Sequence, residues 1–510
     1  MYQPALVAAL AALTATASVA APVDRTDPYP STYRAIASVP VLIRHATLLT
    51  GTGERLDDAD LLMSNGRIVA LGKNLQAPAD AEVIDATGKW LTPGIIDVHS
   101  HLGVYASPGV SAHDDGNEMT SPTTANVWAE HALWPQDPAF AAALAGGVTS
   151  MQILPGSANL IGGRGVTVKN VPSVTYQAMK FPSAPWGLKM ACGENPKRVY
   201  GGKGGSPMTR MGNVAGYRAA FIEAQSYMLA QDKYQAGRGG KNGNSNRAGI
   251  AEEPQIVEEE VQPDVELQTE NPNEGKRKSR WRRADKESAQ DDEKAGGDEA
   301  PSRDLAKETL MGAMKGDIRV HIHCYRADEM AIMLDLAKEF GFKVAAFHHG
   351  VEAYKLADRL AADGVCAALW ADWWGFKMES LDGIEENIAL VDRPANSCAI
   401  VHSDSSEGIQ RLNQEAAKVM AHGRRVGMDL KPEHAIRWLT SNPAKALGID
   451  RRTGTLEPDK MADVVLWNGT PFSVYAKAEK VFVDGALLYD RFDKSRQPVS
   501  DFMLGQGASP

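Results

Sequence analysis

The chain has 510 residues, 43% of them hydrophobic and 23% charged, an ordinary composition for a soluble globular protein and more chain than one average domain uses. Its formal net charge of −10 argues against nucleic acid or an anionic membrane as the partner. Four cysteines, Cys192, Cys324, Cys366 and Cys398, lack C-x-x-C spacing and read as too few and too scattered for a disulfide framework.

Residues 5–21, ALVAALAALTATASVAA, are apolar and end in small residues suited to cleavage. They predict a signal peptide over 1–21 and an exported, periplasmic or secreted protein. No Lys or Arg precedes the apolar core, which departs from the usual pattern. No other stretch is long and apolar enough to span a membrane. From 40 to 92 short alternating runs are broken by turn residues, with Asn65-Gly66 set for a hairpin, and predict one half of a small β-sandwich. Pro93 to His101 is an apolar run ending in H-x-H.

Further strand-like runs follow at 148–154, 186–192, 319–324, 343–350, 365–372 and 397–404, with a weak candidate near 171–178. Helical patterns separate them, so a parallel sheet is expected. Eight such units predict an α/β fold, a (β/α)8 TIM-type barrel over 93–440. Residues 236–303 hold few apolar clusters and blocks of both charges, so they read as a disordered insertion whose partner, if any, is unknown. The tail, 441–492, returns to strand patterning and predicts the second half of the sandwich.

On an extended strand alternate side chains share a face, so His99 and His101 point the same way and can hold a divalent cation. Lys189, His323, His349 and Asp404 sit at the ends of other candidate strands, where barrels of this type build their sites. A lysine between Leu188 and Met190 is costly to bury unless it is chemically used.

These stretches, LTPGIIDVHSHL, LKMACG, HIHCYRADEM, FHHG, VHSDS and GTLEPDKMADVVLWNG, resemble the amidohydrolase superfamily, specifically its imidazolonepropionase-like and metal-dependent prolidase-like branch. The resemblance runs from about residue 40 to 490, the charged insertion excepted. It implies metal ligation by His99, His101, Lys189, His323, His349 and Asp404, with Lys189 carboxylated by carbon dioxide. His321 is then structural and His348 faces away. It further implies two divalent ions, zinc for preference with manganese, iron or cobalt compatible. The resemblance also implies that a metal-activated hydroxide would attack a non-phosphate C–N bond in an amide, cyclic amide or dipeptide-like small molecule, with Asp404 shuttling the proton. Imidazolonepropionases carry a glutamate soon after the strand-five histidine, where this chain has Cys324, Tyr325 and Arg326, so the imidazolone substrate is in doubt.

Tyr325, Arg326 and Asn159 are candidate substrate contacts, and Trp370, Trp373 and Trp374 are candidates for the pocket wall or the core. Two other functions stay open, a mononuclear-metal deaminase and a non-catalytic binding protein of the same fold. A homo-oligomer also stays open.

Overall fold

The computed structural model describes residues 27–241, 300–373 and 375–497. The segment expected to be a signal peptide, most of the charged insertion and Trp374 lie outside the described residues. Where the insertion was expected to begin, at 236, the helix Arg210–Lys241 continues. Among the described residues no helix is long and apolar enough to cross a membrane.

The first strands are β1 (Val41–Leu49), β2 (Arg55–Ser64), β3 (Arg67–Gly72), β4 (Glu82–Asp85) and β5 (Trp90–Pro93). Asn65 and Gly66 both adopt positive φ, 51° and 75°, as a two-residue hairpin turn between β2 and β3 requires. The chain then enters β6 (Ile95–Ser100), β7 (Val148–Ile153), β8 (Ile161–Lys169), β9 (Trp186–Ala191), β10 (Ile318–Cys324), β11 (Val344–His349), β12 (Cys366–Leu369) and β13 (Ala399–Val401). It closes with β14 (Val464–Trp467), β15 (Ala478–Val483) and β16 (Ala486–Asp490).

Both chain ends meet in one continuous eight-strand sheet, ordered β16-β15-β14-β5-β1-β2-β3, with β4 on β1. Ile43, Leu48, Leu61, Val464 and Phe482 form its buried core. The helix Ser441–Leu447 packs instead on the barrel side, with Ala444 and Leu447 against Ile96 and Val98. The tail returns to the sheet through Leu456 and backbone bonds of 459–462 to the β2–β3 hairpin, and adds its own strand from Val464. Gly94 makes the passage from β5 into β6 possible, because a Cβ there would lie 2.0 Å from the Thr149 hydroxyl.

The second sheet is the barrel wall, ordered β13-β12-β11-β10-β9-β8-β7-β6. Its third strand corrects the sequence reading in place and in direction. Residues 171–178 are not a strand. Residues 161–169, which were not among the predicted strands, instead form β8, antiparallel to both β7 and β9. All nine residues of β8 are buried, and its glycines are packing devices. A Cβ on Gly163 would lie 2.4 Å from the Val127 carbonyl, and one on Gly165 would lie 2.5 Å from Leu154. Glycine at close backbone approach looks like a loop in sequence because it carries no apolar signal.

The barrel's two end strands meet through specific bonds. The Asp404 amide donates to the His99 carbonyl at 3.2 Å. The buried Asp97 carboxylate accepts from the Ser403 hydroxyl, and from the amides of Ser403 and His99 at 3.3 and 3.2 Å. Burial pushes the Asp97 carboxyl up to about 7 against those donors.

The cysteines also correct the sequence reading. Cys192 is bonded to Cys324 and Cys366 to Cys398. The partners lie 132 and 32 positions apart, and only strand adjacency in the barrel brings them together. The first pair ties the end of β9 to the end of β10, beside Lys189 and His323.

A buried ion cluster joins the two sheets. Lys169, at the far end of β8, donates to both oxygens of Asp463 at 2.7 and 2.9 Å, and to Asp484 at 3.1 Å. Tyr33 donates its hydroxyl to Asp484, and Thr453 donates to Asp463 at 2.8 Å. Lys169→Met would leave two buried carboxylates without their counter-charge. The unfolding free energy from urea denaturation is expected to fall by about 3–5 kcal/mol, and an unchanged curve would contradict this role for the cluster.

Candidate metal centre

His99 and His101 follow one another on the β6 edge of the barrel mouth, and Asp404 reaches them from just past β13. His99 Nε2 and His101 Nε2 are 3.2 Å apart. Asp404 Oδ1 lies 3.4 Å from the first and 3.3 Å from the second. Three donor atoms thus form a nearly equilateral triangle. Ligands held at ~2.0–2.1 Å around one tetrahedral zinc ion are separated by roughly 3.3 Å, so the triangle fits a cation. Lys189 Nζ is 3.4 Å from His99 Nε2 and its side chain is fully buried.

His323 and His349 complete the expected set. Their rings are 4.6 Å apart, and the His349 ring is 4.6 Å from that of His99. The Nδ1 atoms of both are buried without a hydrogen-bond partner. His349 has a φ of 72° and Asp404 one of 51°. For residues with a side chain this backbone is strained, and such strain clusters at functional sites.

Two histidines were misjudged or missed in the sequence. His402 was passed over, yet it groups with His99 and His349, their ring nitrogens lying within 4.8 Å of one another. Both of its own nitrogens are buried without partners. Its signal was available, since His402-Ser403-Asp404 repeats the i, i+2 pattern of His99 and His101. His348 does not face away: its Nδ1 is 2.8 Å from His99 Nδ1. The turn of the backbone at His349 breaks strict alternation, so neighbouring residues both reach the interior.

Burial keeps these imidazoles neutral. It drives His99, His323, His348 and His349 well below the ordinary histidine range, helped in each case by neighbouring positive groups. His321 and His402 are pushed down to about 3, chiefly by burial. Burial also lowers Lys189 to about 8, partly offset by the Asp404 charge. Burial would raise the Asp404 carboxyl, but its polar contact with His101 and the charge of Lys189 hold it below its usual value. Neutral imidazoles, an ionised carboxylate and a lysine readily deprotonated form a donor set suited to a divalent cation.

A cavity of about 480 Å³ opens over these groups, lined on its other sides by Tyr325, Trp370, Trp373, Phe376 and Lys377. Trp370 stacks on His349 at 4.3 Å, and Lys377 Nζ sits 4.1 Å over the Tyr325 ring. Tyr325 therefore lies where substrate contact was expected. Arg326 does not line the cavity: its guanidinium is paired with Asp328 at 2.9 and 2.8 Å. Asn159 is also outside it, its amide donating to the carbonyls of Glu118 and Ser121 at 2.7 and 2.8 Å. Asn159 thus has a local backbone role that sequence spacing did not reveal, whereas the pairing of Arg326 with nearby Asp328 was open from the sequence.

The profile described as the Amidohydrolase family matches residues 265–488. The crystal structure of an amidohydrolase from Thermotoga maritima MSB8 is 32% identical, with a TM-score of 0.71 over 88% of this chain and 100% of that one. Amidohydrolase tasK of Hapsidospora irregularis is 30% identical over 482 residues, 88% of this chain and 43% of that protein. A dihydroorotase of Geotalea daltonii is 57% identical over 56 residues, 11% of this chain and 12% of that protein. The chain thus spans less than half the length of these two curated relatives. With its barrel, its two-ended sheet and its cluster of imidazoles, the chain belongs to the amidohydrolase family.

The depressed histidines fix a pH dependence for stability. Unfolded, His321 and His402 take up protons near 6.5, whereas folded they resist until about 3. Between those values the unfolded chain binds more protons, so stability falls as pH falls. With chelator present, the thermal midpoint should drop steadily from pH 6.5 toward 3, and a flat or rising midpoint would contradict the burial argument.

Proposed function

We propose that this protein is a metal-dependent hydrolase, of the imidazolonepropionase-like and prolidase-like branch, that cleaves a C–N bond in an amide, cyclic amide or dipeptide-like substrate. The observation that carries the reading is the triangle of His99 Nε2, His101 Nε2 and Asp404 Oδ1, with Lys189 beside it. In this reading those three residues hold one cation, and carboxylated Lys189, His323 and His349 hold a second. His402 is close enough to join either set. Zinc suits these donors, and manganese, iron and cobalt are compatible. When bound, such ions lower the pKa of a water and draw charge from a substrate carbonyl.

The chain's own groups supply the rest. Lys189, lowered to about 8, offers a free amine that adds to carbon dioxide, giving a carbamate and releasing one proton. Asp404 Oδ1 is turned to the histidine pair, which leaves Oδ2 to take a proton from the attacking water and return it to the departing nitrogen. Tyr325, Trp370 and Trp373 exclude water from one side of the cavity. Lys377, set over Tyr325 and 3.4 Å from Glu194, supplies a cation for a substrate carboxylate. The two disulfides support export to an oxidising compartment.

Metal content per chain and a screen of N-acyl amino acids, dipeptides and cyclic amides test this proposal. Asp404→Asn should lower kcat by about 10²–10⁴-fold and Lys189→Ala by orders of magnitude, both with the fold intact, while Arg326→Ala stays near wild type. Wild-type turnover in either of the first two would reject the assignment. One ion per chain with a free Lys189 amine would favour the mononuclear deaminase, and a chain that binds no metal would favour the non-catalytic reading. For substrates that carry a carboxylate, Lys377→Met should raise KM with little change in kcat. An unchanged KM would remove Lys377 from the substrate site.

A further inference from the structure

A histidine that ligates a cation must present a lone pair, so its other nitrogen has to carry the proton. For His101 the matter is settled locally. Its Nδ1 lies 2.8 Å from the Leu154 carbonyl, and a carbonyl only accepts, so the proton sits on Nδ1 and Nε2 is free. His99 has no such arbiter. Its Nδ1 lies 2.8 Å from His348 Nδ1, and an imidazole nitrogen can play either part.

The ambiguity passes down a buried chain. His348 Nε2 lies 2.9 Å from His321 Nδ1, and His321 Nε2 lies 3.4 Å from the Gln152 side-chain amide. His99, His348, His321 and Gln152 are all at most 1% exposed. Two all-neutral proton orders satisfy this chain. In one, the Gln152 nitrogen donates to His321 and every later bond runs toward His99, whose Nε2 then holds a proton aimed into the triangle. In the other, Gln152 presents its oxygen, the bonds run the opposite way, and His99 Nε2 is bare. The Gln152 oxygen is buried without a partner, and a half-turn of the amide brings it onto His321. Gly187 keeps that contact open, since a Cβ there would lie 2.5 Å from the Gln152 nitrogen and 3.2 Å from His321.

We infer that His348, His321 and Gln152 form a tautomer relay that makes His99 a metal ligand, with the Gln152 oxygen as the group that sets its direction. These are positioning residues, and no net charge enters the chain. The inference rests on the reading of His99 as a ligand given above.

The test uses full-length protein loaded with zinc alone. Long-range proton–nitrogen NMR on protein labelled with ¹⁵N-histidine should show His348 and His321 protonated on Nε2. Competition with a chelator should show Gln152→Leu binding zinc about 10–100-fold more weakly, with its melting curve recording that the fold is kept. A proton on Nδ1 of either histidine in the loaded wild type overturns the relay, as does a folded Gln152→Leu with undiminished affinity. The wild-type spectrum decides the question even where the variant fails to fold. Wild-type protein that takes up no zinc overturns the metal-centre reading itself, and the relay with it.

Discussion

Everything at the barrel mouth depends on one electrostatic constraint: several basic side chains share a space too dry and too small for them to be charged together. The His99 ring lies 4.7 Å from that of His348, 4.6 Å from that of His349 and 5.2 Å from that of His402. Each proton added there would face several others at low effective dielectric. The cluster is therefore a set of neutral imidazoles around one carboxylate, an arrangement that a positive ion would stabilise.

The rest of the molecule holds that arrangement in place. Parallel strands deliver residues from remote parts of the sequence to one rim. The Asp97–Ser403 bonds bring the first and last of those strands together, and a disulfide fixes the neighbouring ends of β9 and β10. His101 is oriented by a carbonyl, His99 by other histidines. On the relay inferred above, that difference makes His99 sensitive to residues well beneath the site.

Much of this was legible in the sequence, where period-two alternation could be trusted. His99 and His101 announce a shared face, Lys189 stands out as a charged residue inside an apolar strand, and Asp404 as one just past the end of another. Legibility failed where local backbone departs from the simple strand. Positive φ at His349 hides the inward turn of His348. His402 lay in a recognised strand, yet Asp404 two places on drew all the attention. Arg326 and Asn159 resemble ligand contacts by position, but Asp328 and two carbonyls already occupy them. Disulfide partners cannot be read without knowing which strands are neighbours.

The reversed strand β8 has a consequence for how the two sheets communicate. Its first residue, Ile161, pairs with Met190 next to Lys189, and its last, Lys169, is anchored among Asp463 and Asp484. A single buried rod thus links the reaction chamber to the seam with the other sheet. The seam with the outlying sheet and the wall beside Lys189 are therefore parts of one hydrogen-bonded strand, so the outlying sheet braces that wall.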